Sequence, residues 1–158
     1  MEFVPVNIEQ QLDLCLAFRK DAYTVSYGSL DGFNTEETTA WFGRLASLPD
    51  AGFYHVIKND ETIGQIEFRK DLIDDEGVKY GYINLFYLKP EFRGQGLGSE
   101  LQDFIFSQLK SAKCQYVQLR YLPANSQGVA FYRKHGWKDV GEMDTRGNWL
   151  KNAYLNRR

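Results

Sequence analysis

Six consecutive residues, Arg93-Gly94-Gln95-Gly96-Leu97-Gly98, carry the clearest chemistry in this chain. Glycine at every second position keeps side chains off the backbone, so successive N–H groups can converge on one oxyanion. An apolar run (Ile83, Leu85, Phe86, Tyr87, Leu88) precedes them and stops at Lys89-Pro90; Leu97, Leu101, Phe104, Ile105 and Leu109 follow at helical spacing. Strand, glycine turn and helix in that order set the positive end of a helix dipole behind the turn, which suits a phosphate or pyrophosphate. Two familiar phosphate loops fit badly. The dinucleotide fingerprint needs glycine where Ser99 stands, and the P-loop needs Gly-Lys-Ser/Thr where Gly98 is followed by Ser99 and Glu100.

The elements that must position this turn are legible by period. Glu2 to Val6 is a short strand broken by Pro5, and Ile8, Leu12, Cys15, Leu16 and Phe18 predict a helix to about Asp21. Tyr23 to Phe33 has no clean period and reads as a loop. Asn34 caps a second helix, with Glu36 and Glu37 in its first turn, Trp41, Phe42, Leu45 and Leu48 along its apolar side, and Pro49-Asp50 as its stop. Phe53 to Lys58 and Thr62 to Arg69 are strands joined at Asn59-Asp60-Glu61. Alternation puts Ile66 and Phe68 on one face of the second, and Gln65, Glu67 and Arg69 on the other, non-core face. An acidic connection from Asp71 leads to the strand Tyr80 to Leu88, on which Tyr82, Asn84, Phe86 and Leu88 share a face. The long helix turns at Ala112-Lys113 into a strand, Tyr116 to Leu122. Pro123-Ala124-Asn125 opens a short helix closed by Gly136, and Trp137 to Met143 with Trp149 to Leu155 predict a closing hairpin around Thr145-Arg146-Gly147-Asn148.

With 158 residues, 43% apolar and 15% aromatic, the chain is long and apolar enough for one folded domain over 1–158. A net charge of -2 with scattered Lys and Arg argues against nucleic acid or a membrane surface as partner. No signal-peptide pattern opens the chain and no apolar run would span a bilayer, so a cytoplasmic location is expected. Cys15 and Cys114 lie on different elements without metal spacing and read as reduced, buried small residues, with no metal expected.

Arg93-Gly94-Gln95-Gly96-Leu97-Gly98 matches the Arg/Gln-x-x-Gly-x-Gly/Ala signature of the GNAT superfamily, the acyl-CoA-dependent N-acyltransferases. Asn125, with Phe131-Tyr132 and Gly136-Trp137 further on, resembles that family's second element in order and spacing. The resemblance covers nearly the whole chain. It implies an α+β fold whose mixed, mostly antiparallel sheet splays between the fourth and fifth strands and is flanked by helices. Acetyl-CoA would be the co-substrate, its pantetheine arm held by backbone groups of Phe86, Tyr87 and Leu88. Its pyrophosphate would lie on Arg93, Gly94, Gln95, Gly96, Leu97 and Gly98, with Ser99 opening the helix and Asn125 bonding the arm or a phosphate.

The implied reaction is acetyl transfer to a primary amine of a small molecule or peptide through a tetrahedral intermediate. It needs a neutral amine, a stabilised oxyanion and a proton for the leaving sulfur. Tyr132 matches the general acid of many members. The strand positions where several relatives place a basic Glu or His are Tyr82 and Asn84 here, neither a base at neutral pH, which leaves Glu67 as the nearest candidate. Tyr23, Tyr27, Phe33, Trp41 and Trp149 with Asp31, Glu36 and Glu37 suggest an aromatic and acidic wall suited to a cationic amine. A sensor that binds acyl-CoA without turnover is the alternative, and either a monomer or a homodimer is compatible.

Overall fold

The computed structural model describes residues 1–144 and 149–155. The elements run β1 (Glu2–Pro5), α1 (Ile8–Tyr27), α2 (Thr35–Ser47), β2 (Ala51–Lys58), β3 (Glu61–Ile73) and β4 (Lys79–Leu88). Then come α3 (Leu97–Ser111), β5 (Tyr116–Tyr121), α4 (Ser126–Lys134), β6 (Lys138–Val140) and β7 (Trp149–Tyr154). The strands form one sheet in the order β1-β2-β3-β4-β5-β7-β6. All neighbours are antiparallel except β4 and β5, which are parallel and joined by α3, as a parallel pair requires a crossover. The mixed α+β architecture expected from the sequence is the one observed. Thr145 to Asn148, the expected hairpin tip, lies outside the described residues.

Local chemistry sets most boundaries as predicted. Asn7, Asn34 and Asn125 each cap a helix by accepting a backbone N–H three residues on, from Gln10, Glu37 and Gly128. Helix α1 departs from expectation by continuing to Tyr27. It ends only at Gly28 (φ 79°), whose N–H donates to the Thr24 carbonyl at 2.8 Å. Tyr23 and Tyr27, one turn apart, stack at 4.3 Å, an i,i+4 contact that sustains the helix where apolar period is lost.

Helices cover both faces of the sheet. On one face Leu101, Ile105 and Leu109 of α3 pack against Val56, Ile63, Ile66, Phe68, Ile83 and Val117. On the other, Cys15 and Phe18 of α1 and Phe42 and Leu45 of α2 meet Phe53, Leu85 and Tyr87. The face expected to be non-core is therefore a second core face, and its polar residues Gln65 and Glu67 are fully buried. Strict alternation on β4 also fails at one residue. Glu67 stands opposite Leu85 but Phe68 opposite Ile83, so Asn84 is an inserted, bulged residue. Tyr82, opposite Arg69, thus faces away from the side taken by Phe86, which pairs with Ile66.

His55 shows how tightly this second face is closed. It is 1% exposed; its Nε2 lies 2.9 Å from Gln65 Oε1 and 3.5 Å from Cys15 Sγ, and burial holds its pKa below the ordinary value. The unfolded chain therefore takes up that proton first, near pH 6.5, and folding stability is lost as pH falls through that value toward the folded one. Denaturant midpoints from pH 8 to 5 should show up to about 1.4 kcal/mol per pH unit more loss for the wild type than for His55→Gln in this window. Parallel pH curves for the two proteins would show that His55 is not held neutral.

Candidate active site

Strands β4 and β5 pair at only four positions, from Tyr80–Tyr116 to Ile83–Leu119. At the next residue comes the Asn84 bulge, and β4 goes on to Leu88 paired with β3 alone. Lys89 N–H donates to the Ile63 carbonyl at 2.8 Å, so by the alternation of an antiparallel ladder the backbone groups of Leu88 and Phe86 point to the open side. A cavity of about 520 Å³ occupies this opening. Its walls are β4 from Asn84 to Leu88, the loop at Arg93, Gly94, Gly96, Gly98 and Ser99, Arg120 of β5, the α4 segment with Asn125, Phe131 and Tyr132, and Ala22, Val25 and Ser26 of α1.

The loop is glycine-dependent for two different reasons. Gly94 and Gly96 take the left-handed conformation (φ 74° and 81°) with open space where a side chain would stand. Gly98 is needed for closeness: a Cβ there would lie 2.9 Å from the Phe131 ring. Gly96 is the cap of α3, which begins at Leu97, so Ser99 does not open the helix but sits in its first turn. Its Oγ lies 2.9 Å from His135 Nε2. His135 Nδ1 faces the Phe131 carbonyl at 2.8 Å and must donate to it, leaving Nε2 to accept from Ser99. Gln95 turns back to donate to the Glu91 carbonyl at 2.8 Å, and Leu97 is buried in the core.

Arg93 also turns away from the loop. Its Nε donates to the Leu88 carbonyl (2.8 Å), its Nη2 to Asp21 Oδ2 (3.0 Å), and its guanidinium lies 5.5 Å from the centre of the Tyr87 ring. Tyr87 donates its hydroxyl to the same Asp21 oxygen at 2.6 Å; burial and that bond push its pKa up. The arginine expected to touch phosphate is thus the pin that fixes α1 to the end of β4.

Tyr132 is 8% exposed among the rings of Tyr121, Phe131 and Trp137, and burial pushes its phenol up to about 12. It is neutral throughout the physiological range and has no hydrogen-bond partner among the described residues, so it is an available O–H donor in the cavity wall. Asn84 Oδ1 is likewise buried and without a partner among them.

Glu67 is not placed as expected. It is 0% exposed and is not among the cavity-lining residues. Arg19 grips it with Nη2 and, at 3.2 Å, with Nε, while Trp41 Nε1 (2.6 Å) and Gln65 Nε2 (2.9 Å) complete its shell. The carboxylate is spent on holding α1 and α2 to β3, because the second helical layer closes over a face that alternation alone leaves open. Nor do the expected wall residues reach the cavity. Tyr23 stacks on Tyr27 and meets Phe33 edge to face, and Trp41 is held by Glu67. The Trp149 side chain lies outside the described residues. Among the described residues that line the cavity, the permanent charges are Arg93, Arg120 and Lys134, with no carboxylate.

The parted sheet and the glycine loop that caps α3 together form one open cleft that ends at a helix N-terminus. The sequence profile of the Acetyltransferase (GNAT) family matches residues 15–137, and the chain belongs to that family. The thialysine N-ε-acetyltransferase of Sus scrofa is 32% identical over 63 residues, 40% of this chain and 37% of that protein, so the match spans well under half of the relative. PaiA N-acetyltransferase of Thermoplasma acidophilum, in complex with coenzyme A, superposes with TM-score 0.74 at 21% identity over 97% of this chain and 98% of its own. An acetyltransferase of Thermus thermophilus gives 0.77 at 15% identity, covering 97% and 96%.

The Glu67 shell has a measurable consequence. Glu67→Gln should lower stability by roughly 1–3 kcal/mol in chemical denaturation, since Arg19 loses its counter-charge. The pH profile of any turnover should keep its acid limb in place. A limb displaced or abolished in this variant would return Glu67 to the role of base.

Proposed function

We propose that the protein transfers the acetyl group of acetyl-CoA directly to a primary amine of a small molecule or peptide. The observation that carries this is the convergence on one cavity of an unpaired β4 edge, a side-chain-free glycine loop at a helix N-terminus, and a neutral, unpartnered phenol. A coenzyme A-bound neighbour of the same fold and relatives named for N-ε-acetylation support the reading.

Each group has one task in it. Loop N–H groups from Gly94 to Ser99 with the start of α3 take the pyrophosphate. The Phe86 backbone and the Leu88 N–H face the pantetheine arm as a further strand would, the Leu88 carbonyl being taken by Arg93; Tyr87 between them holds α1, and Asn125 contacts the arm from α4 while capping it. Acetyl-CoA supplies an activated thioester. Tyr132 donates a hydrogen bond, then its proton, to the departing sulfur. Its raised pKa keeps it protonated until the charge on sulfur develops, and the same dry surroundings disfavour a free thiolate.

Thiol release from acetyl-CoA should be followed across a panel of thialysine, polyamines, amino acids and short peptides. One amine class should turn over, and Tyr132→Phe should lower kcat about 10²–10⁴-fold while coenzyme A still raises the melting temperature of the variant. Binding of coenzyme A without turnover of any amine would favour a sensor. Absence of binding would remove the basis for the glycine-loop assignment.

A further inference from the structure

Asn84 lines the cavity with a side-chain oxygen that is buried and bonded by none of the described residues. It is also the bulged residue at which β4 leaves β5. Leaving a buried acceptor bare is costly, and a bound donor removes that cost. The position says which donor. The phosphate loop follows Leu88, and from Leu88 to Asn84 an extended arm covers about 13 Å, so an acyl-CoA laid along β4 brings its thioester end to Asn84.

Resting on the acetyl-transfer reading above, we propose that Asn84 Oδ1 holds the attacking amine by accepting one of its N–H bonds, and that the site takes its acceptor as the free base without a protein general base. The surroundings agree. Among the described residues, the titratable groups lining the cavity are Tyr87, Arg93, Arg120, Tyr132, Lys134 and His135, none of them a carboxylate, and Asp21 behind them is bonded to Tyr87 and Arg93. Tyr82, the neighbour on β4, is raised chiefly by burial and is bonded to Arg120, which Asp144 faces at 3.6 Å. His135 is occupied with Ser99 and the Phe131 carbonyl. Among the described lining residues no carboxylate is present to retain an ammonium ion, and the two arginines are already paired, Arg93 with Asp21 of α1 and Arg120 with Asp144.

Accepted by Oδ1, the amine keeps its lone pair for the thioester carbon. Attack forms the C–N bond and a tetrahedral intermediate, whose collapse breaks the C–S bond; Tyr132 gives its proton to sulfur, and the proton shed by nitrogen restores the phenol directly or through water. The products are the acetamide and the thiol, with no proton left over.

The test uses the full chain and a series of primary amines with graded pKa, measuring kcat/KM against pH. The acid limb should shift one-for-one with the pKa of each amine in the wild type. Asn84→Ala should lower kcat/KM for every amine at least 10-fold, with the Kd for acetyl-CoA within about twofold of wild type. Asn84→Asp, which keeps the bulk of the side chain but sets a carboxylate beside the amine, should retain the ammonium form and move the acid limb to higher pH. One limb common to all amines, or unchanged kcat/KM in Asn84→Ala, would overturn the proposal while leaving acetyl transfer intact. A loss in both variants with every limb unmoved would assign the carboxamide to the oxyanion instead. A wild type that acetylates none of the amines removes the reading beneath and this one with it.

Discussion

β4 is hydrogen-bonded to β3 along nearly its whole length but to β5 at four positions only. Backbone groups inside a protein must find partners, and those of Phe86 and Leu88 on the open side have none from a neighbouring strand. That deficit is the constraint on which the rest depends. It originates in the one-residue insertion at Asn84, which breaks the register with β3 where the parallel ladder with β5 ends. A sheet that closed at this point would have no cleft. An extended, amide-bearing molecule can complete it, and the glycine loop that follows β4 receives the charged end of such a molecule.

Keeping an opened sheet from collapsing requires ties around it, and the polar residues supply them. Asp21, Tyr87, Arg93 and the Leu88 carbonyl form one, joining the second half of α1 to the last residues of β4. Glu67, Arg19, Trp41 and Gln65 form another, beneath α1 and α2. A buried ion pair of this kind is weak evidence for net stability, since desolvation offsets much of the attraction, but losing one partner is costly. Both ties end on α1, so the helix that contributes Ala22, Val25 and Ser26 to the cavity is fixed relative to the strand that would bind the co-substrate.

Element order, helix caps and the glycine loop were legible in the sequence because each rests on local chemistry: apolar period, asparagine at a cap, glycine at positive φ. What was not legible depends on layers. Whether Glu67 faces water or a second core cannot be read from β3, because the answer lies in α1 and α2, 48 and 26 residues away at Arg19 and Trp41. The end of α1 was hidden by Tyr23, Thr24 and Val25, whose helix is sustained by an aromatic stack that hydrophobic period does not register. The bulge had no signal either. Asn84 fits simple alternation, and only the pairing of both neighbours shows that it does not alternate. Its polarity amid an apolar strand was the available hint.

The charges of the cavity tie binding and chemistry together. Arg93 and Arg120 line it already paired, with Asp21 and Asp144, and among the described lining residues there is no carboxylate. On the acetyl-transfer reading, an amine entering there meets no described lining carboxylate that would hold it as the ammonium ion. A carboxylate in this cleft would repel the phosphates of a co-substrate and retain the ammonium form. A neutral amide and a neutral phenol do neither. On this argument the polar but uncharged pair Asn84 and Tyr132 suits the charge of its surroundings, and the burial of Glu67 under α1 and α2 keeps its negative charge out of them.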